Sequence, residues 1–260
     1  MTVVSQTIVI RYKKEQTGQR MAETRRVGDT IGERLANVRT RISRALEHSN
    51  RPSNDVTLIA ISKTHPASTI KKVIELGTTD LGENRIQEAE AKILEVGRDK
   101  ARWHLVGHLQ TNKARRAVKL FDVIHSVDSI ELGQRLDRLC EEERTRVSVL
   151  IQVDLGLEAT KSGVRESDVT ALASYLSKSE HLKLTGLMTL PPFFENVEQV
   201  RPFFRKLASI RDRLAADGLF GDGTGELSMG MTHDFEVAIE EGATMVRIGT
   251  AIFGERTQIR

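Results

Sequence analysis

From Val56 onward the chain keeps a rhythm. Short β-branched runs alternate with amphipathic stretches. The runs are "VTLIAIS", "TDLGE", "RWHLVGH", "DVIHSVD", "VSVLIQVD", "LKLTGLMTL", "ELSMG" and "MVRIGTAIFG". Runs such as "LIAIS" are apolar at consecutive positions, as in a strand buried on both faces. "TDLGE" is the weakest of them, short and acidic. Helical periodicity lies between, over residues 67–76, 85–96, 112–120, 129–143, 166–178, 197–216 and 232–241. Another amphipathic helix, residues 29–48, precedes the rhythm, with Ile31, Leu35, Val38, Ile42 and Leu46 on one stripe. About eight strands in strict alternation with helices over roughly 200 residues predict an α/β fold, a single (β/α)8 TIM-type barrel with an extra N-terminal helix. A doubly wound open sheet would also alternate, but its first strand should run into a glycine-rich turn. None follows "LIAISK". Residues 1–20 lack helical periodicity and caps, and Met21 follows them. They are expected to be a poorly ordered extension, with residues 21–260 as the barrel domain.

In such a barrel the site lies where strands end and βα loops begin. Lys63 stands at one such end, as do Asn84, His108, Asp128, Asp154, Leu190, Gly230 and the segment "RIGTA". A lysine there can simply reach water. It can also be held in a pocket as a nucleophile, because apolar walls and a nearby cation disfavour its charged form.

Composition narrows the partners. The chain has 260 residues, 39% hydrophobic and 29% charged, an ordinary globular balance. Its single cysteine, Cys140, cannot form an intramolecular disulfide. With no signal peptide and no apolar run near the roughly 20 residues of a spanning helix, a cytoplasmic protein away from membranes is expected. The net charge of +3 arises from 39 basic and 36 acidic groups, mostly interleaved. The densest basic stretch, "TNKARRAVK", reads as a solvated helix face. Aromatics at 4% offer few stacking platforms, so no nucleic-acid partner is expected. A small anion or a phosphorylated ligand suits this balance better.

The last two strands supply a place for a phosphate. "MVRIGTAIFGER" presents Arg247, then Gly249 and Thr250, at the mouth of the final strand. The loops after strands 7 and 8 are the usual phosphate site of this fold. "ELSMGMTHDFEVAIEEG" forms the other wall, with Ser228, Met229 and Gly230 ending strand 7 and Thr232 or His233 opening the next helix. Each half alone could be plain turn chemistry. An imine-forming lysine, a phosphate cradle and a possible ring-nitrogen partner in one barrel together suggest pyridoxal phosphate. Arg247, on a strand next to that of Lys63, can be that partner.

The sequence also resembles the pyridoxal phosphate homeostasis proteins, the YggS-like family, whose barrel is similar to the N-terminal domain of alanine racemase. The matching stretches are "AISKTHP", "LGENRIQEAEAKI", "WHLVGHLQTNK", "KSGV", "GLMTL" and "LSMGMTHDFEVAIEEGATMVRIGTAIFGER", in order over residues 58–256. The resemblance implies Lys63 as the imine lysine, Ser228, Gly249 and Thr250 as phosphate contacts, and Arg247 beside the pyridine nitrogen. It places Asn84 near the ring, with His104 and Met229 lining the pocket. The extension before Met21 lies outside the family pattern. His108 departs from it where many members carry proline.

Other motifs carry less. His104 and His108 lie on a strand with no carboxylate motif beside them, so no metal site is expected. "GDGTGE" lacks the Lys-Ser/Thr of a P-loop. Cys140 reads as a packing residue. Lys161, in "TKSG", is a solvated loop lysine or a second capture point for the cofactor. Three functions are weighed. One is a carrier that stores, buffers or delivers pyridoxal phosphate, with apo enzymes as its partners and a monomer as its expected state. Another is a pyridoxal-phosphate racemase. The third is a Schiff-base aldolase on a phosphorylated sugar, with Asp128 and Asp154 as acid–base partners. A two-base racemase needs a second acid–base group opposite the lysine, which the resembled racemases supply as a tyrosine from another domain. The two tyrosines here fall in the extension (Tyr12) and on an outer helix (Tyr175). No β-rich second domain is expected after "IFGER". The carrier is the expected function.

Overall fold

The computed structural model describes residues 30–156 and 162–255. The extension 1–20 with Tyr12, and Lys161, lie outside the described residues.

Helix α1, Ile31–His48, begins on a capping box. Thr30 accepts a bond from the Glu33 N–H, and the Glu33 carboxylate accepts from the Thr30 N–H at 2.9 Å. Its stripe buries Leu35, Val38, Ile42, Ala45 and Leu46. The predicted start at residue 29 thus falls just before the cap.

Among the described residues eight parallel strands close into a barrel. They are β1 Thr57–Ile61, β2 Asp80–Glu83, β3 Arg102–Leu105, β4 Val123–Val127, β5 Val147–Asp154, β6 Leu182–Met188, β7 Glu226–Ser228 and β8 Met245–Ile248. Strand order around the barrel is 4-3-2-1-8-7-6-5, closed by pairing of β4 with β5. The short acidic "TDLGE" is a true strand, paired on both sides. A two-residue bridge, Val164–Arg165, extends from the end of β5.

Helices α2 Ala67–Glu75, α3 Ile86–Val96, α4 Ala114–Leu120, α5 Ile130–Glu142, α6 Glu166–Leu176, α7 Arg201–Ala216 and α8 Phe235–Glu240 fill the connections. A final short helix, α9 Thr250–Phe253, follows β8, so the apolar run "MVRIGTAIFG" is a strand and then a turn of helix. α1 packs on α8 and α9.

Strand alternation sorts the apolar residues into two cores. The larger lies between barrel and helices and includes Trp103, Phe121, Phe204 and Phe235. Each such side chain contributes about 1.5–3 kcal/mol on burial. The smaller fills the barrel with Ile59, Ile61, Val106, Val123, Leu150, Met188 and Met245. Gly186 on β6 is required by strand contact, since a Cβ there would stand 2.1 Å from the Glu226 carbonyl oxygen.

Candidate cofactor site

β1 delivers Lys63 to the mouth, and a buried polar cluster holds the turn that carries it. The Ser62 N–H donates to the Gly82 carbonyl at 3.0 Å. The Ser62 hydroxyl donates to Glu83 at 2.6 Å. From α3, the Lys92 ammonium donates to the Ser62 carbonyl at 2.7 Å, to Glu83 at 2.7 Å and to Glu88 at 2.6 Å. Glu88 in turn accepts the Thr64 N–H. Thr64 has φ of 68°, in the left-handed region that a threonine rarely occupies. Both neighbours of Lys63 are therefore tied to one ammonium and two carboxylates. Burial pushes the Glu83 carboxyl above its ordinary range, against the pull of Lys92 and Ser62.

The mouth itself is a pocket of about 260 Å³. Lys63, Asn84, Arg247, Gly249 and Thr250 all line it. Ile61, Val106 and Leu190 give it apolar surface, and Thr232 and His233 complete the rim. β1 pairs directly with β8, with Ile59 opposite Arg247 and Ala60 opposite Ile248. This register places the arginine and the Gly249–Thr250 turn beside the lysine's strand. Gly230, at the end of β7, has φ of 91°, and a Cβ there would lie 2.6 Å from Cβ of Ala238. Only glycine lets the loop turn so close to α8.

Arg247 is 4% exposed. Its guanidinium donates to the Ser228 hydroxyl at 2.7 Å and to the Thr189 carbonyl at 2.9 Å. Burial lowers it to about 10, partly offset by the Asp234 carboxylate, so it stays charged at neutral pH. Below it the Ser228 oxygen lies 2.9 Å from Nδ1 of His125.

Five of the eight expected residues meet in the pocket: Lys63, Asn84, Arg247, Gly249 and Thr250. The other three are placed differently. His104 shares its face of β3 with Val106 but lies two residues deeper, fully buried against His125 and Asp80. Ser228 turns its hydroxyl to Arg247 and His125 rather than to the pocket. Met229, the next residue, turns the other way and packs in the outer core. Among the other strand-end candidates, His108 and Asp128 approach to 3.8 Å, and Asp154 accepts the Gly156 N–H at 3.1 Å. No cluster fit for a metal ion occurs among the described residues. Cys140 is buried, and burial, aided by Asp137, pushes its thiol up to about 12. That fits packing rather than nucleophilic chemistry.

Sequence reasoning missed Glu83, Glu88 and Lys92, and also His125. The first three sit in "ENRIQEAEAK", where Glu88 and Lys92 look like a solvated i,i+4 pair. His125 stands in "DVIHSVD", and a histidine inside an apolar strand was its only signal.

Residues 34–257 match the family model described as the alanine racemase N-terminal domain. The chain is 42% identical over 224 residues to a pyridoxal phosphate homeostasis protein of Aquifex aeolicus, covering 86% of this chain and 97% of that one. It is 40% identical over 228 residues to the protein of that name from Pseudomonas aeruginosa, covering 87% and 96%. The structure of PipY from Synechococcus elongatus, solved with PLP bound, superposes with a TM-score of 0.75 at 37% identity, over 86% of this chain and all of that one. The barrel and its mouth thus define a protein with the alanine racemase N-terminal fold. Within that class, the chain belongs to the pyridoxal phosphate homeostasis protein family.

Proposed function

We propose that this protein binds pyridoxal 5'-phosphate through a Schiff base on Lys63 and serves as a store, buffer or donor of the cofactor. The observation that carries the reading is the convergence of Lys63, Arg247 and the Gly249–Thr250 turn on one pocket of about 260 Å³. Bound there, the cofactor supplies an aldehyde for the lysine and a ring that can accept an electron pair. Arg247 would meet the ring nitrogen, Gly249 and Thr250 would hold the phosphate, and Asn84 would border the ring. Ser228 and His104 act from below the pocket, through Arg247, rather than on the phosphate.

A carrier rather than a racemase is favoured by what surrounds the lysine. Tyr175, the one tyrosine among the described residues, lies on α6 beside Gly133 of α5, away from the mouth. The rim imidazoles are engaged elsewhere. His65 stacks on Phe253 at 4.9 Å between ring centres, and His233 pairs with the Phe194 carbonyl oxygen at 3.1 Å. We read the protein as a monomer that hands the cofactor to apo enzymes. No helix among the described residues is long and apolar enough to cross a membrane.

The test is a titration with pyridoxal phosphate and with pyridoxal, followed by mixing the loaded protein with an apo enzyme. The phosphate form should bind far more tightly, since each charge-assisted hydrogen bond lost is worth roughly 1.5–3 kcal/mol. The apo enzyme should regain activity. Equal affinity for both aldehydes, or no reactivation, would contradict the reading.

A further inference from the structure

A continuous polar relay crosses the barrel interior below the pocket. It runs from Arg247 on β8 through Ser228 on β7, His125 on β4 and His104 on β3 to Asp80 on β2. The successive separations are 2.7, 2.9, 2.9 and 3.0 Å. Ser228 and both imidazoles have no exposed surface. Asp80 opens β2, at the end of that strand away from the mouth, and its side chain keeps 17% exposure.

The two ends dictate where every proton sits. A guanidinium only donates, so the Ser228 oxygen accepts from Arg247 and sends its own proton to Nδ1 of His125. His125 must then carry its proton on Nε2 and donate it to Nδ1 of His104. His104 likewise carries its proton on Nε2 and donates it to the Asp80 carboxylate. Reversing the order would set a bare ring nitrogen of His104 against a carboxylate oxygen. A cation and an anion therefore face each other through three neutral groups. Burial holds both imidazoles below their ordinary range. Burial, the largest single influence, raises the Asp80 carboxyl, but His104, the Thr79 hydroxyl and Arg102 together outweigh it and leave it below its ordinary value. The other charges bearing on the relay are Arg102 near Asp80, His104 and His125, Asp122 near His104, and Asp234 near Arg247.

We propose that His125 and His104 are positioning residues for the pocket. With Ser228 they hold the Arg247 guanidinium in place, and they couple its charge to Asp80 at the far end of the relay. The effect on the cofactor rests on the reading of the pocket given above. The relay itself needs no ligand.

Two measurements test this. The first is nitrogen-15 NMR of the histidine side chains in the full-length, cofactor-free protein. Both rings should be neutral, with the proton on Nε2, from about pH 5 to about pH 8, the span in which a free imidazole changes charge. A charged ring in that range, or a proton on Nδ1 of His125, would overturn the proposal. The second compares Asp80→Asn with the native protein, both loaded with pyridoxal phosphate. Asparagine can still accept from His104 through Oδ1, so the relay geometry is kept, while the charge is lost together with the bond that the Thr79 hydroxyl donates to the other carboxylate oxygen at 3.1 Å. The pH at which the visible band changes should fall by on the order of half a unit, because an anion favouring protonation has been removed. A band and pH profile identical to the native protein's would overturn the coupling. If the native protein itself gives no visible band, the cofactor reading fails, and the NMR measurement then decides the relay.

Discussion

Lys92 donates to the backbone carbonyl of Ser62 at 2.7 Å, one residue before the lysine that points into the pocket. The same ammonium meets Glu83, whose side chain has no exposure. Helix α3 thus grips the end of β1 through a buried charge. Replacing Lys92 with methionine would strand the Glu83 carboxylate and release the Lys63 turn. Removing one partner of a buried pair costs about 3–5 kcal/mol. Urea unfolding of Lys92→Met should show a loss of that order, with weaker cofactor loading. Adding Glu83→Gln should recover much of the stability. A Lys92→Met protein as stable as the native one would show that the cluster does not hold the turn.

The interior histidines make a pH prediction. In the unfolded chain both imidazoles take up a proton near their ordinary pKa of about 6.5. In the fold, burial holds both below that value. Below about pH 6.5 the unfolded state therefore binds more protons, and stability falls as pH falls. Each histidine contributes a slope of up to about 1.4 kcal/mol per pH unit. Asp80 adds a later loss. Its folded pKa is depressed, so its contribution is present above the ordinary carboxylate range and disappears as pH drops through the folded value. The urea midpoint should be clearly lower at about pH 5.5 than at about pH 7.5. The difference should shrink in His125→Phe. Equal midpoints would contradict two neutral buried rings.

The relation between sequence and structure differs from one residue to the next. The barrel was legible because parallel strands covered on both faces are apolar at consecutive positions, and even "TDLGE" kept its place by alternation. That Lys63, Arg247, Gly249 and Thr250 share one mouth was legible because strand ends of this fold face it. His104, Ser228 and Met229 were expected at the pocket, and their side chains turn to the barrel interior or the outer core, because position near a strand end does not give depth or face. Two residues along β3 separate the rim from the interior, and one residue separates Ser228 from the outer core. The Lys92 cluster was illegible for another reason. A Glu–Lys pair one helical turn apart usually marks a solvated face, and nothing local reveals that α3 turns it onto the end of β1.

Gly230 should tolerate no side chain. Its φ of 91° and the 2.6 Å approach to Ala238 would oppose a methyl group. Gly230→Ala should cost more than about 1 kcal/mol in unfolding and weaken cofactor binding by shifting the β7–α8 loop. Unchanged stability and affinity would show that the loop is not tightly set.

Arg247 bears on chemistry as well as binding. A guanidinium donates and does not accept, so beside a bound ring nitrogen it would leave that nitrogen unprotonated and the ring a weak electron sink. The loaded protein should exchange the α-proton of alanine in heavy water only slowly, far below the 1–10³ per second of ordinary enzymes, roughly speaking. Arg247→Glu should exchange faster if it still binds the cofactor. Native turnover at enzyme rates would favour a racemase.

The central claim is that Lys63 is the covalent anchor. The most direct test is borohydride reduction of the loaded protein, followed by mass measurement and peptide mapping. One pyridoxyl group should appear on the peptide containing "AISK", at Lys63, and should be missing from Lys63→Ala. Its appearance on Lys161 alone, or a mass unchanged by reduction, would contradict the account.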